Sequence, residues 1–152
     1  MSVIGDLGQN MSRLPKILEL FDNDLEHYEQ NLKIKGKLLG EALKEQPTWS
    51  AYYGERAIEL STLSKYIEGQ VKKVRAGFTR TYNENYNPAL SERMLEKYID
   101  GEDVYLNIFT LYLEVKELTS KYELVVEAFN RRGFALRDIT LSHVHDIQGV
   151  SL

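Results

Sequence analysis

The chain has 152 residues, enough for one domain with its own core. It has no cysteine, which excludes a disulfide scaffold, a thiolate metal site and a cysteine nucleophile. The 19 basic and 23 acidic residues give a net charge of −4, a balance that taken whole argues against nucleic acid as a partner.

Apolar spacing predicts helices throughout. Leu14, Leu18, Phe21, Leu25, Tyr28 and Leu32 form a heptad-like stripe, which predicts a first helix from about Ser12 to about Lys44. Ser12 is its expected N-cap, and Pro15 is tolerable in the first turn. Gly36 and Gly40 weaken the second half, and Pro47 is expected to end the helix by pushing Gln46 out of the α region.

The second helix is expected from Thr48 or Ser50 to about Tyr82, on the stripe Leu60, Leu63, Ile67, Val71, Val74 and Phe78. The Asn83–Pro88 stretch reads as a turn, with Asn87 capping and Pro88 opening a short third helix that carries Leu90, Met94, Leu95 and Tyr98. Asp100-Gly101 interrupts it. The fourth helix carries Val104, Ile108, Leu111, Val115, Leu118, Tyr122, Val125 and Phe129, widened by Tyr105, Phe109, Tyr112 and Val126. Gly133 is expected to cap its C-terminus in the left-handed conformation, behind Arg131 and Arg132. An amphipathic tail follows, with Phe134, Leu136, Ile139, Leu141, Val144 and Ile147. No strand pattern or tandem repeat is visible, so the expected class is all-α: long amphipathic helices in an elongated bundle. The expected division is a helical body over 1–132, with the basic helix around 61–82, and a C-terminal tail over 133–152.

Charge is distributed unevenly. Residues 1–60 net −3 and residues 83–127 net −6, but residues 61–82 net +4. That basic stretch holds Lys65, Lys72, Lys73, Arg75 and Arg80 against Glu68 alone. On a helix these cations fan across the side opposite Ile67, Val71, Val74 and Phe78, with Arg75 and Tyr82 on the border. Two readings follow. Lysines there can neutralise phosphates while Arg75 and Tyr82 stack on bases. Alternatively, the cations are a solvated face paired with acids of a neighbouring helix.

Other constellations carry less. His143 and His145 alternate on a helix and point to different faces, so they read as polar surface and not as a metal site. His27 reads as solvated surface. Gly5-Asp6-Leu7-Gly8 lacks the context of a phosphate loop. No nucleophile–base pair is visible, so neither catalysis nor a cofactor is expected. No apolar run approaches the roughly 20 residues that span a bilayer. The N-terminal residues lack the pattern of a signal peptide, which makes a cytoplasmic location the expectation.

Two segments resemble a known family. Lys73-Val74-Arg75-Ala76-Gly77-Phe78 resembles the Lys-x-Arg-x-x-aromatic element of the UvsY-type recombination mediator proteins of T-even-like bacteriophages. Arg132-Gly133-Phe134-Ala135-Leu136-Arg137-Asp138-Ile139 resembles their Arg-Gly-Phe-Ala-aliphatic-basic-x-Ile element. Asp100-Gly101-Glu102-Asp103-Val104 has a counterpart at similar distance, so the resemblance covers roughly residues 52–140. The second adjacent aromatic of the family is Thr79 here, and the first 45 residues match only in character.

The resemblance implies a non-enzymatic protein that binds single-stranded DNA. It implies a ring-like homo-oligomer, a hexamer or heptamer, that loads a RecA-like recombinase onto DNA covered by single-strand-binding protein. It makes Lys73 and Arg75 DNA contacts; Lys72, Arg80 and Tyr82 join them from the charge pattern. It makes the tail from Gly133 onward a subunit contact, with Phe134, Leu136, Ile139, Val144 and Ile147. The alternative is a helical adaptor or structural oligomer with no DNA role.

Overall fold

The computed structural model describes residues 11–85 and 90–150, with side chains through residue 145. Among them every regular element is helical: a 3-10 turn at Met11–Arg13, then α1 (Leu14–Leu25), α2 (Tyr28–Leu32), α3 (Leu39–Asn85), α4 (Glu92–Asp100) and α5 (Asp103–Val150). The chain is all-α, and α3 and α5, at 47 and 48 residues, carry most of it.

The expected first helix is divided. Gly36 adopts φ +85°, a conformation that L side chains resist, and Lys37 N–H donates to Ile34 O at 3.1 Å to close a turn there. α3 therefore starts at Leu39 and runs through Pro47. The proline removes one helical N–H and leaves the Leu43 carbonyl without its usual donor. Both residues are exposed, so water can satisfy that carbonyl. On the other side Gln46 Nε2 donates to Phe129 O at 2.6 Å, and Arg132 Nη1 donates to Ala42 O at 3.4 Å. These bonds hold the backbone helical against the local preference of the residue before proline.

Two further boundaries differ from expectation. α4 is capped by Ser91, whose Oγ accepts the Met94 N–H at 3.3 Å. Asn87 and Pro88, the expected opening of that helix, lie outside the described residues. α5 continues through Gly133, which does not take the left-handed conformation expected of a cap. The buried side of α5 runs on through Phe129, Arg132 and Leu136, so the helix has a reason to continue. The Asp100-Gly101 interruption is where expected: Glu102 N–H donates to Ile99 O at 3.0 Å, and α5 opens at Asp103.

The chain forms two compact units. The first joins the segment ending at Leu18 with Glu59–Thr119, around Leu14, Leu18, Leu60, Leu63, Ile67, Val71, Ile99, Tyr105, Val115 and Leu118. Each such side chain contributes about 1.5–3 kcal/mol by leaving water. The second joins Glu19–Ile58 with the chain from Ser120, around Phe21, Ala42, Tyr53, Tyr122, Val125, Phe129 and Leu136. Its centre is aromatic: Tyr53 stacks on Phe129 at 4.9 Å, and Phe21 meets Tyr122 edge-on at 5.9 Å. Asp24 accepts the Tyr52 hydroxyl at 2.5 Å and lies 3.2 Å from that of Tyr122, which also donates to Phe21 O at 2.7 Å.

Candidate nucleic-acid interface

The basic stretch lies on α3 within the first unit. Leu60, Leu63, Ile67 and Val71 turn into the core, and this orients the rest of the helix surface. Lys65, Lys72, Lys73 and Arg80 are exposed, while Val74 and Phe78 are only half-buried. Lys72, Arg75, Ala76, Thr79, Arg80 and Asn83 recur at three- and four-residue steps and line a shallow groove of about 450 Å³. Ala76 and Thr79 are its small side chains, and Lys72, Arg75 and Arg80 are its three cations. Thr79 Oγ1 donates to Arg75 O at 3.0 Å, which turns its polar atom back to the helix.

The cations are not equivalent. Lys72 Nζ lies 3.5 Å from Glu68 in an exposed pair one turn apart, an interaction worth a few tenths of a kcal/mol. Lys73 and Arg80 have no ion pair among the described residues. Arg75 is held: Nη1 donates to Asp100 Oδ1 and to the Tyr105 hydroxyl, both at 3.2 Å, and the guanidinium lies 5.5 Å over the Tyr105 ring. For Arg75, pairing with an acid of another helix is thus what occurs. Its side chain keeps 35% exposure and still forms part of the groove wall.

Of the five expected DNA contacts, the structure brings Lys72, Arg75 and Arg80 together in the groove. Lys73 is exposed one position away, outside the lining. Tyr82 is directed elsewhere: its hydroxyl donates to Glu102, and its ring stacks on Tyr98 at 5.7 Å. The sequence reading missed Ala76, Thr79 and Asn83 as groove residues. Their signal was the three- and four-residue spacing from Lys72. It also missed Asp100 and Tyr105 as the groups that fix Arg75.

The expected subunit contacts divide in two. Leu136 is fully buried in the second unit. Gly133 packs on Gln46, so its glycine serves a contact within the chain. Phe134, Ile139 and Val144 are exposed at 59%, 37% and 44%. The Ile147 side chain lies outside the described ones. Arg132, of the same motif, is buried: Nε donates to Leu32 O at 3.1 Å, and Nη1 donates to Gln46 Oε1 at 2.8 Å. Its Nη2 makes no hydrogen bond and lies 3.6 Å from Glu45 Oε2.

Among the described residues no three histidines or carboxylates gather as a metal site, and no helix is long and apolar enough to cross a membrane. The chain matches no protein-family model, no curated protein and no solved structure.

Proposed function

We propose that this chain is a recombination mediator that binds single-stranded DNA through the basic face of α3. It has no catalysis of its own. One observation carries the reading: in a protein of net charge −4, three cations line a single groove together with the small Ala76 and Thr79. A phosphate backbone can approach the helix over Ala76 and Thr79, flanked by Lys72, Arg75 and Arg80, and each phosphate neutralised there releases counterions. The acid excess elsewhere keeps DNA off the other faces. The resemblance of 73–78 and 132–139 to the UvsY-type mediators supplies the rest: a ring-like homo-oligomer in the cytoplasm that loads a RecA-like recombinase onto DNA covered by single-strand-binding protein. Repetition of a weak patch around such a ring converts moderate affinity into tight binding.

The second reading is a helical adaptor without DNA, which the Arg75–Asp100 pair favours. Anisotropy of a labelled oligo-dT at two salt concentrations separates them. Binding at low salt that Lys72→Ala/Arg80→Ala weakens supports the mediator. The log–log salt slope should become shallower by about 0.7 for each phosphate that the variant no longer neutralises. No binding at low salt leaves the adaptor.

A further inference from the structure

Within the same unit α5 carries an aromatic row. Tyr105, Phe109 and Tyr112 follow one another at steps of four and three, along one side of the helix. The Tyr105 and Phe109 rings stack at 5.7 Å with 13° between their planes, and Phe109 and Tyr112 lie 6.1 Å apart at 43°. Burial falls along the row: Tyr105 is buried, while Phe109 and Tyr112 are half-buried. Cations close both ends, Arg75 at 5.5 Å over Tyr105 and Lys116 Nζ at 5.5 Å over Tyr112. Arg75 also walls the groove of α3, so the basic groove and the aromatic row share one residue.

We propose that Phe109 and Tyr112 are a base-stacking platform for single-stranded nucleic acid whose phosphates run along Lys72, Arg75 and Arg80. The proposal rests on the DNA-binding reading above and adds to it where the bases go. Core packing alone accounts for Tyr105, which is buried, but the aromatic chemistry continues at Phe109 and Tyr112, where burial is only partial. Aromatic faces accept any base, because every base has a π-face, and the flanking Arg75 and Lys116 attract the chain that carries the bases. Bases are uncharged, so Glu68 and Asp100 near the groove do not repel them. Tyr105 does not itself stack on a base; it positions Arg75 through the hydroxyl contact and the ring face.

The test compares a labelled oligo-dT with an abasic deoxyribose-phosphate oligomer of equal length. The unmodified protein, Phe109→Leu/Tyr112→Leu and Lys72→Ala/Arg80→Ala are each titrated at two salt concentrations. The leucine variant should lose about tenfold or more in affinity for oligo-dT, keep the salt slope, and bind the abasic oligomer as the unmodified protein does. The alanine variant should lose affinity for both oligomers. A leucine variant that binds oligo-dT unchanged overturns the platform and leaves the groove standing. An unmodified protein that binds neither oligomer at low salt overturns the DNA reading and the platform with it. If circular dichroism shows that the leucine variant has lost helicity, Phe109→Trp decides. Its emission, beyond that of Trp49, should be quenched by oligo-dT, and an unquenched signal overturns the platform.

Discussion

Gln46 occupies the space that a side chain at Gly133 would need: a Cβ at Gly133 would lie 2.9 Å from Gln46 Nε2. The amide is not free to retreat. It donates to Phe129 O at 2.6 Å and accepts from Arg132 Nη1 at 2.8 Å. Gly133 is the residue that lets α3 lean on α5 within the second unit.

Gly133→Ala should therefore destabilise the protein despite the better helix propensity of alanine. The propensity gain is about 1 kcal/mol, and overpacking costs about 1–3 kcal/mol. A net loss of about 1 kcal/mol in urea denaturation is expected. Gly77→Ala is the control: a Cβ there meets nothing within 4 Å, so a gain of up to about 1 kcal/mol is expected. Equal shifts for the two variants would contradict the close approach.

Arg132 ties three parts of the second unit through Leu32 O, Ala42 O and Gln46 Oε1. Arg132→Met should cost about 2–4 kcal/mol, because buried acceptors lose charged donors that water does not replace. Arg132→Lys keeps the charge but one donor group in place of the planar fork, and should recover only part of the loss. Thermal melts of the two variants and the unmodified protein check the order.

Alkali should unfold the second unit. Burial, with Asp24 adding to it, pushes the Tyr122 phenol far above the ordinary tyrosine range. Burial likewise raises Tyr52, helped by its hydrogen bond to Asp24, and Tyr53. The folded state holds these protons more tightly than the unfolded chain. The stabilisation is full below about pH 10, where free tyrosine stays neutral, and is lost as pH rises toward the folded-state values. Ultraviolet titration of the ten tyrosines should show a group that ionises only together with loss of helicity. Tyr122→Phe should shrink that group by one. Smooth titration of all tyrosines with the helices intact would contradict their tight hold on the proton.

If α3 binds DNA as proposed, Asp100 would compete with the phosphates for Arg75. The pair is exposed enough that Asp100→Asn should change stability by no more than about 1 kcal/mol. It should strengthen oligo-dT binding at low salt, because Arg75 is freed from its acid and the unit gains positive charge. Weaker binding by Asp100→Asn in anisotropy would mean that the carboxylate orients Arg75 for the phosphate instead of occupying it.

The long helices are legible because their apolar spacing is regular: Leu60, Leu63 and Ile67 on α3, and Val115, Leu118 and Tyr122 on α5, are all buried. The punctuation is less so. Pro47 and Gly133 carry strong local signals for a helix end, yet both lie inside helices. The contact that overrides them links Gln46 with Phe129, 83 residues apart in sequence. Ser91 is hidden as a cap because Pro88 offers a competing start. The basic groove is legible from segment charge and helical spacing. The restraint on Arg75 is not, because Asp100 and Tyr105 lie 25 and 30 residues away, beyond the reach of periodicity on one helix.

The composition of the two units also sets an order for synthesis. The core of the first is complete once Thr119 has emerged, since every buried residue it uses precedes that point. Phe21, Ala42 and Tyr53 are made early but pack against Tyr122, Val125, Phe129 and Leu136, which are translated much later. The ribosome therefore releases the first unit ready to fold while Glu19–Ile58 still exposes apolar surface. Until Tyr122, Val125, Phe129 and Leu136 follow, the apolar side chains of that segment lack the partners that bury them in the second unit.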